Sequence, residues 1–237
     1  MGNKPVRILS TGEIRRDTLR YAYEQGIKIT VDPFIRILPS AGQATMAYIR
    51  ELSGKKLKVI FTSKHAVRTV ISCLEQVPEW EICCISGATK EEICSFWKAE
   101  VLLATADNGT DLATQIVSGG KNEKYIFFCG DRRMNDIPEQ LRLHHLDLEE
   151  VIVYQTVGLP HRIDNVYDAI FFYSPSAVES YFSVNPVMDL VCFSIGSTTT
   201  RTLKKYIKEH NRIITALHPD KKSMVEMAIS YFDKQTE

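Results

Sequence analysis

Hydroxyl residues follow several apolar runs of this sequence, at points where a strand would pass into a helix. Thr62-Ser63 and Tyr173-Ser174 each end such a run, and Thr89 and residues 197–200 (Ser-Thr-Thr-Thr) follow later runs. Hydroxyl groups and the free N–H groups of a helix N-terminus bind carboxylates or phosphates, so these turns predict a site for an acidic ligand. Helix N-capping, worth about 1 kcal/mol per residue, is the structural alternative and can coexist with binding.

Basic side chains lie next to the same turns. Lys64 follows Ser63, and Arg132 and Arg133 follow a Gly130-Asp131 turn; Arg15, Arg16 and Arg201 lie near other junctions. A solvated surface charge is the simpler interpretation for any one of them. Together they favour a local crevice for a polyanion.

Tyr154 lies in a β-rich segment, 151–156 (Val-Ile-Val-Tyr-Gln-Thr). A phenol can donate a proton or a hydrogen bond to a leaving group, so Tyr154 is a candidate catalytic residue. Packing within the strand is the alternative for this side chain.

Composition and motifs exclude several function classes. The chain has 237 residues with 29 basic and 29 acidic side chains, which argues against general binding of nucleic acid or membrane surfaces. There is no GxGxxG, P-loop, HExxH or GxSxG motif, so no nucleotide cofactor is expected. The adjacent rings of His144 and His145 would point apart on a helix, so no metal site is expected either.

The N-terminus and the cysteines favour the cytoplasm. No apolar run has the roughly 18 residues of a membrane span, and the first residues show no signal-peptide pattern. The six cysteines contain no C-x-x-C pair and most lie in apolar runs, which predicts buried, reduced thiols.

Short apolar runs alternate with amphipathic stretches along the chain. Continuous runs such as 169–173 (Ala-Ile-Phe-Phe-Tyr) are typical of strands covered on both faces of a parallel sheet. The alternation predicts α/β units with right-handed crossovers. The predicted strands are 7–10, 28–31, 58–62, 82–85, 101–104, 125–129, 151–156, 169–173, 190–195 and 212–215. The predicted helices lie near 13–25, 40–53, 64–76, 88–98, 110–118, 136–144, 175–184, 198–209 and 221–233.

An internal repeat divides these elements into two sets. Residues 60–67 resemble 171–178 at an offset of 111, and residues 84–89 resemble 194–199 at nearly the same offset. Two pairs of similar segments in the same order predict two similar α/β domains. The C-terminal set lacks one strand–helix unit, which the N-terminus can supply. We therefore expect a discontinuous domain, 1–32 plus 161–237, with a second domain, 40–150, inserted into it.

The chain must then cross twice between the domains. The crossing segments, 33–39 and 151–160, are rich in β-formers and contain or end at prolines. We expect them to form a two-stranded β linker that acts as a hinge, with the ligand between the domains.

Taken together, these segments resemble the uroporphyrinogen-III synthase family. The matching pieces are 61–67 (Phe-Thr-Ser-x-x-Ala-Val), 129–131 (Cys-Gly-Asp), 153–156 (Val-Tyr-Gln-Thr), 172–176 (Phe-Tyr-Ser-Pro-Ser) and 195–199 (Ile-Gly-Ser-Thr-Thr). The sequence departs from the family pattern at Ser86, usually glycine, and at Ser197, often proline. The Thr-Arg-Pro pattern of bacterial members is replaced by Ser10-Thr11-Gly12, which leaves the role of Arg15 and Arg16 open.

The resemblance implies an enzyme that converts hydroxymethylbilane, a linear tetrapyrrole with several carboxylates, into uroporphyrinogen III. The reaction loses water, inverts ring D and uses no cofactor. Tyr154 matches the tyrosine proposed to assist departure of the hydroxyl group. The positions that match the lining of the family's cleft are Thr62, Ser63, Thr89, Ser174, Ser176, Thr198 and Thr199.

Two expectations about function remain. The first is this cyclising enzyme, a monomer that contacts the preceding enzyme of tetrapyrrole synthesis at most transiently. The second is a non-catalytic two-domain module that binds an anionic ligand. Retention of Tyr154 beside the hydroxyl turns favours the enzyme.

Overall fold

The computed structural model describes residues 5–40, 42–119, 123–187, 190–209 and 212–234. Residues 1–4, on which the expectation about a signal peptide partly rests, lie outside these ranges. The chain divides into two compact units: unit 1 consists of Met1–Arg36 and Val157–Glu237, and unit 2 of Ile37–Thr156. Each unit is described by itself below.

The described residues form strands and helices close to the predicted positions. The strands are β1 (Val6–Ser10), β2 (Ile27–Val31), β3 (Ile35–Pro39), β4 (Leu57–Phe61), β5 (Trp80–Ile85), β6 (Leu102–Ala106), β7 (Lys124–Gly130), β8 (Asp147–Gly158), β9 (Ala169–Phe172), β10 (Val191–Ser194) and β11 (Ile213–Thr215). The helices are α1 (Arg16–Glu24), α2 (Gln43–Ser53), α3 (Lys64–Cys73), α4 (Ala88–Phe96), α5 (Gly109–Gly119), α6 (Asp136–Leu143), α7 (Pro175–Phe182), α8 (Ser197–Leu203) and α9 (Lys221–Asp233).

Each unit contains one sheet, and the two sheets share a strand order. Unit 1 has the order β11-β10-β9-β1-β2, and unit 2 has β3-β8-β7-β4-β5-β6. Without β3, the order in unit 2 reads β6-β5-β4-β7-β8, so β4 and β7 occupy the places of β9 and β1. The pairs from β11 to β2 and from β8 to β6 are all parallel. The predicted α/β fold class, with parallel sheets flanked by helices, is confirmed.

Apolar clusters cover both faces of each sheet. In unit 1, one cluster includes Ile8 and Phe171 and the other Leu9 and Phe172, so successive residues of a strand point to opposite clusters. Unit 2 repeats this with Phe61 and Ile60. Such double burial explains why the strand sequences are continuous apolar runs.

Strand β8 begins earlier than predicted, at Asp147. Its first residues pair with β7, from Lys124↔Asp147 onwards, so the additional strand residues belong to the sheet of unit 2. Strand β3 is its neighbour on the other side, and the Ser40 N–H donates to the Val153 carbonyl oxygen at 2.9 Å. This pairing explains why both segments are rich in β-formers.

Helix α8 ends at Leu203, well before the predicted 209.

Of the cysteines, Cys94 is exposed, which corrects the expectation that the thiols are buried, and the remaining five are buried. In the described part of the chain, no helix has the length and apolar character needed to cross a membrane.

Candidate active site

The carboxyl ends of β4 and β7 lie side by side in unit 2, because these strands are neighbours in the sheet. The chain leaves these two strands in opposite directions along the sheet. From β4 it continues to β5 on one side, and from β7 it continues to β8 on the other side. At such a topological switch point an α/β sheet opens a crevice that binds ligands. Thr62-Ser63 and Asp131 follow these two strand ends, and both Thr62 and Ser63 are partly exposed.

Tyr154 reaches this switch point from β8 through a β-bulge. The register between β7 and β8 changes from Cys129↔Ile152 to Gly130↔Tyr154, so Val153 is an additional residue in the ladder. A bulge re-aims the side chains that follow it, and such irregularities are frequent next to active sites. Val153 and Tyr154 consequently pack against the same apolar cluster, although adjacent strand residues normally face opposite ways.

The Tyr154 ring lies directly on Gly130. A Cβ atom at Gly130 would be 2.4 Å from both Cε2 and Cζ of Tyr154 and 2.8 Å from its Oη. No side chain fits there without moving the ring. Glycine at the end of β7 is therefore a requirement for the position of the phenol.

Ser63 lies just beyond the end of β4, the neighbour of β7. Its hydroxyl caps α3 by accepting a hydrogen bond from the His65 N–H at 3.2 Å. Burial raises the pKa of Tyr154 above its ordinary value, and a hydrogen bond from the Ser63 side chain partly opposes this rise. The phenol therefore stays protonated at neutral pH.

Asp131 and Arg133 fix the turn beside Tyr154. The Asp131 N–H donates to the Tyr154 carbonyl oxygen at 3.1 Å, and Asp131 Oδ1 accepts from the Thr156 N–H at 2.8 Å. Arg133 forms an ion pair with Glu150 and donates to Asn135 Oδ1 at 2.5 Å. Arg133 thus stabilises the turn, whereas Arg132 is exposed.

Unit 1 has a second tyrosine at its own switch point, between the carboxyl ends of β9 and β1. Tyr173 follows β9, and its Oη lies 3.1 Å from the Ser10 Oγ at the end of β1. The Ser10 hydroxyl donates to the Gly12 carbonyl oxygen at 2.6 Å. Burial raises the pKa of Tyr173 far above its ordinary value.

Lys221 completes this cluster in unit 1. It is the first residue of α9, and its Nζ lies 4.3 Å from the centroid of the Tyr173 ring. The ammonium group also donates to the Glu13 carbonyl oxygen. Sequence reasoning did not select Ser10 or Lys221, and it named Tyr173 only as part of the Tyr173-Ser174 turn. A lysine in the first turn of a helix and a tyrosine at the end of an apolar strand were the available signals.

The predicted threonines of unit 1 lie at the turn into α8. A chain of hydroxyl contacts supports this turn, with Thr200 Oγ1 lying 2.5 Å from Ser194 Oγ and 2.6 Å from Thr215 Oγ1. Thr198 is partly exposed, whereas Thr199 is only 2% exposed. The side chain of Thr198 is therefore the more accessible of the two predicted ones.

The other predicted residues divide by exposure. Ser174 caps α7 by accepting from the Ala177 N–H at 3.2 Å. Thr89 is only 4% exposed, so its hydroxyl contributes little to the surface. Lys64 and Ser176 are partly exposed, and Arg15, Arg16 and Arg201 are exposed. Arg15 forms an ion pair with Asp17 at 3.3 Å.

Within the described ranges, no group of three or more His, Cys, Asp or Glu side chains is placed to hold a metal ion. The acid–base groups described at the two switch points are phenols, hydroxyls, an ammonium group and the Asp131 carboxylate.

Comparison with known proteins gives one family and one fold. The family model described as uroporphyrinogen-III synthase HemD matches residues 17–226. A mutant uroporphyrinogen III synthase from the extremely thermophilic bacterium Thermus thermophilus is similar in structure, with a TM-score of 0.65 at 12% identity over 97% of this chain and 99% of that one. A uroporphyrinogen-III synthetase from Helicobacter pylori has a TM-score of 0.63 at 14% identity, over 95% and 99% of the two chains. No curated protein sequence matches significantly.

Proposed function

The chain belongs to the uroporphyrinogen-III synthase family, and we propose that Tyr154 is the residue that assists departure of the substrate's hydroxyl group. The enzyme cyclises hydroxymethylbilane to uroporphyrinogen III in tetrapyrrole biosynthesis. Water is lost and ring D is inverted in this reaction.

The chemistry needs a hydrogen-bond donor at the leaving hydroxyl. The leaving hydroxyl takes a proton from the donor and departs as water when the C–O bond breaks, and its carbon becomes part of an azafulvene cation. The electron-rich substituted carbon of ring D then attacks this cation. The resulting spiro intermediate fragments and recloses, and the proton lost as ring D regains its aromaticity returns to the donor. The substrate supplies the electrons for each step, so the protein contributes mainly positioning and electrostatic stabilisation.

The hydrogen bonds of Ser63 support Tyr154 as that donor. A hydroxyl has one hydrogen and two lone pairs. The Ser63 oxygen accepts from the His65 N–H, and Ser63 lowers the pKa of Tyr154 as a hydrogen-bond donor does, so we assign the Ser63 hydrogen to the Tyr154 Oη. The phenol hydrogen then remains available for the leaving hydroxyl. The observation that carries the proposed role is the position of the Tyr154 ring, which the β-bulge places on Gly130 at the switch point of unit 2.

Polar groups at the ends of the parallel strands would bind the substrate carboxylates. We assign this role to Thr62 and Lys64 in unit 2 and to Ser174, Ser176 and Thr198 in unit 1, all of them partly exposed. Ser63 and Arg132 belong to the same set. Thr89 and Thr199 would contribute chiefly through their backbone N–H groups, because their side chains are buried.

Four wider assignments belong to the same proposal. The chain forms a discontinuous domain, 1–32 plus 161–237, and an inserted domain, 40–150. Segments 33–39 and 151–160 link them. The enzyme acts as a monomer in the cytoplasm. Its contact with the preceding enzyme of the pathway is at most transient.

The product isomer tests the activity. Hydroxymethylbilane, generated in situ, is incubated with the protein, and the type I and type III porphyrins are separated after oxidation. The type III isomer should predominate. Formation of the type I isomer alone, as in spontaneous closure, would leave the non-catalytic binding module as the better description.

A further inference from the structure

We propose that the Asp131 carboxylate stabilises the azafulvene cation that forms when the hydroxyl group of the substrate leaves. The inference rests on the proposed function, which supplies this cation and places it beside Tyr154. It assigns an anionic group to a site whose hydroxyls and basic side chains suit carboxylates. The Asp131 carboxylate forms and breaks no covalent bond in this role, and it acts only through its charge.

The first argument is how the carboxylate is held at the switch point of unit 2. Asp131 comes directly after Gly130, the last residue of β7, on which the Tyr154 ring lies. The Asp131 N–H donates to the Tyr154 carbonyl oxygen at 3.1 Å, and Asp131 Oδ1 accepts from the Thr156 N–H at 2.8 Å. These hydrogen bonds fix both the backbone and the side chain of Asp131 against β8. A charge that is already in position requires no reorganisation when the opposite charge develops.

The second argument is that the charge of Asp131 acts on the phenol. Burial is the largest cause of the raised pKa of Tyr154, and the negative charge of Asp131 adds to the rise. In the proposed function the leaving oxygen is hydrogen-bonded to this phenol, and the carbon that becomes positive is one covalent bond further away. The carboxylate therefore also acts on that carbon, and opposite charges attract.

The third argument is the sign of the charge. The ammonium group of Lys64 and the hydroxyls of Thr62 and Ser63 suit the carboxylates of the substrate, whereas a carboxylate at Asp131 repels them. Asp131 therefore weakens binding of the ground state. Its interaction with the substrate becomes favourable only as the positive charge develops. An interaction of this kind raises kcat, because it is stronger in the transition state than in the bound substrate.

The equivalent position of unit 1 has a neutral residue. Ser10 ends β1 as Gly130 ends β7, so Thr11 is the counterpart of Asp131. Thr11 is only 1% exposed, and its hydroxyl donates to the Phe171 carbonyl oxygen at 2.8 Å. Asp131, in contrast, is exposed. The charged residue thus lies beside the tyrosine to which the proposed function assigns the proton.

Asp131→Asn is the decisive variant, because the amide oxygen can still accept from the Thr156 N–H while the charge is removed. Loss of one electrostatic group from a water-excluded site lowers kcat about 10²–10³-fold. Since Asp131 is exposed and water screens its charge, we expect a fall of about five- to tenfold. KM should not rise, because a repulsion is lost. Asp168→Asn is the matched control in unit 1, where Asp168 Oδ2 accepts from the Arg7 N–H at 2.7 Å, and it should leave kcat and KM unchanged.

A binding measurement distinguishes the charge of Asp131 from its support of the turn. Uroporphyrin III, a stable porphyrin that carries the carboxylates of the substrate but not the cation, is titrated against each variant while its fluorescence is followed. Asp131→Asn should bind this porphyrin about twofold more tightly than the wild type does. The difference should shrink at high salt, because exposed charges are screened. Asp168→Asn should bind as the wild type does.

Two results would overturn the proposal and leave the proposed function intact, provided that the wild type forms the type III isomer. One is a kcat of Asp131→Asn equal to that of Asp168→Asn. The other is a fall of kcat without tighter porphyrin binding, which would show that Asp131 only supports the turn. Formation of the type I isomer alone by the wild type would overturn the proposed function, and this inference with it.

Discussion

The switch points of the two units have the same construction and use it differently. Each places one tyrosine against a glycine and a serine. In unit 2 the ring belongs to Tyr154 and lies on Gly130, at the end of β7. In unit 1, Ser10 lies at the end of β1, in the position equivalent to Gly130. The tyrosine of unit 1 is Tyr173, which follows β9 in the position equivalent to Thr62 after β4.

Register explains which strand supplies the ring. Gly130 pairs with Tyr154 on β8, and the missing side chain admits the phenol to the switch point. Ser10 pairs with Val31 on β2, whose side chain packs into the apolar cluster instead. A change of one residue at a strand end thus decides whether a neighbouring strand can contribute to the site.

The direction of the serine hydrogen bond separates the two phenols chemically. Ser10 uses its hydrogen on the Gly12 carbonyl oxygen, so the Tyr173 phenol must donate to Ser10. Ser63 accepts from the His65 N–H and can donate to Tyr154. With the proposed direction of the Ser63 hydrogen bond, Tyr154 keeps its hydrogen for a substrate, whereas Tyr173 uses its hydrogen within the fold and presents its ring to Lys221.

Of the substitutions at the two switch points, Gly130→Ala should cause the largest fall of kcat. The new methyl group would be 2.4 Å from two ring atoms, so the Tyr154 ring must move. A displacement of about 1 Å can reduce a rate about 100-fold, and we expect kcat to fall by roughly 10- to 100-fold. Steady-state formation of the type III isomer measures the effect.

Gly42→Ala is the control for this substitution, since a Cβ atom at Gly42 meets nothing within 4 Å. It should keep the wild-type rate. An unchanged rate in Gly130→Ala would show that the position of the Tyr154 ring is unimportant.

Ser63→Ala should have a smaller effect, because it removes a partner of the phenol and leaves the ring in place. We expect kcat to fall by several-fold, or about 1 kcal/mol, the usual contribution of one hydrogen bond. The cap of α3 is also lost, which should lower the free energy of unfolding by about 1 kcal/mol.

Ser174→Ala provides the comparison for stability, because Ser174 caps α7 in the equivalent position of unit 1. Urea unfolding should give a similar loss for both variants, with the larger fall of kcat in Ser63→Ala. A larger fall of kcat in Ser174→Ala would contradict the role of Ser63 as a partner of the Tyr154 phenol.

Gly12→Ala should have the smallest effect of the three. Its Cβ atom would lie 3.0 Å from the edge of the Tyr173 ring, a contact that shifts of a few tenths of an ångström relieve. We expect kcat to stay close to that of the wild type. An effect on kcat as large as that of Gly130→Ala would remove the distinction between the two tyrosines.

Local patterns in the sequence predict much of the fold. The doubly buried strands are continuous apolar runs, and Ser63 and Ser174 are N-caps that the residue type itself suggests. Tyr154 could be singled out because it lies in a β-rich segment that was expected to cross between the domains, and because the family resemblance points to it. These features depend on neighbours within a few residues along the chain.

The remaining part of the site depends on register and on contacts between distant residues. The contact of Ser10 with Tyr173 spans 163 positions, and that of Lys221 with Glu13 spans 208. Residue type also does not predict burial: Thr89 and Thr199 are predicted as lining residues, yet both are almost completely buried. The role of Gly130 follows only from the bulge that places Tyr154 above it.

The central claim is that Tyr154, and not Tyr173, offers its hydrogen to the substrate. Parallel turnover of hydroxymethylbilane by Tyr154→Phe and Tyr173→Phe tests it most directly, with Tyr48→Phe as a control that loses a phenol hydrogen bond to Glu149 elsewhere in unit 2. We predict that kcat of Tyr154→Phe falls more than about tenfold and lies at least about tenfold below that of Tyr173→Phe, because acid assistance contributes about 10²–10⁴-fold. A wild-type kcat in Tyr154→Phe, or an equal fall in both variants, would contradict the account.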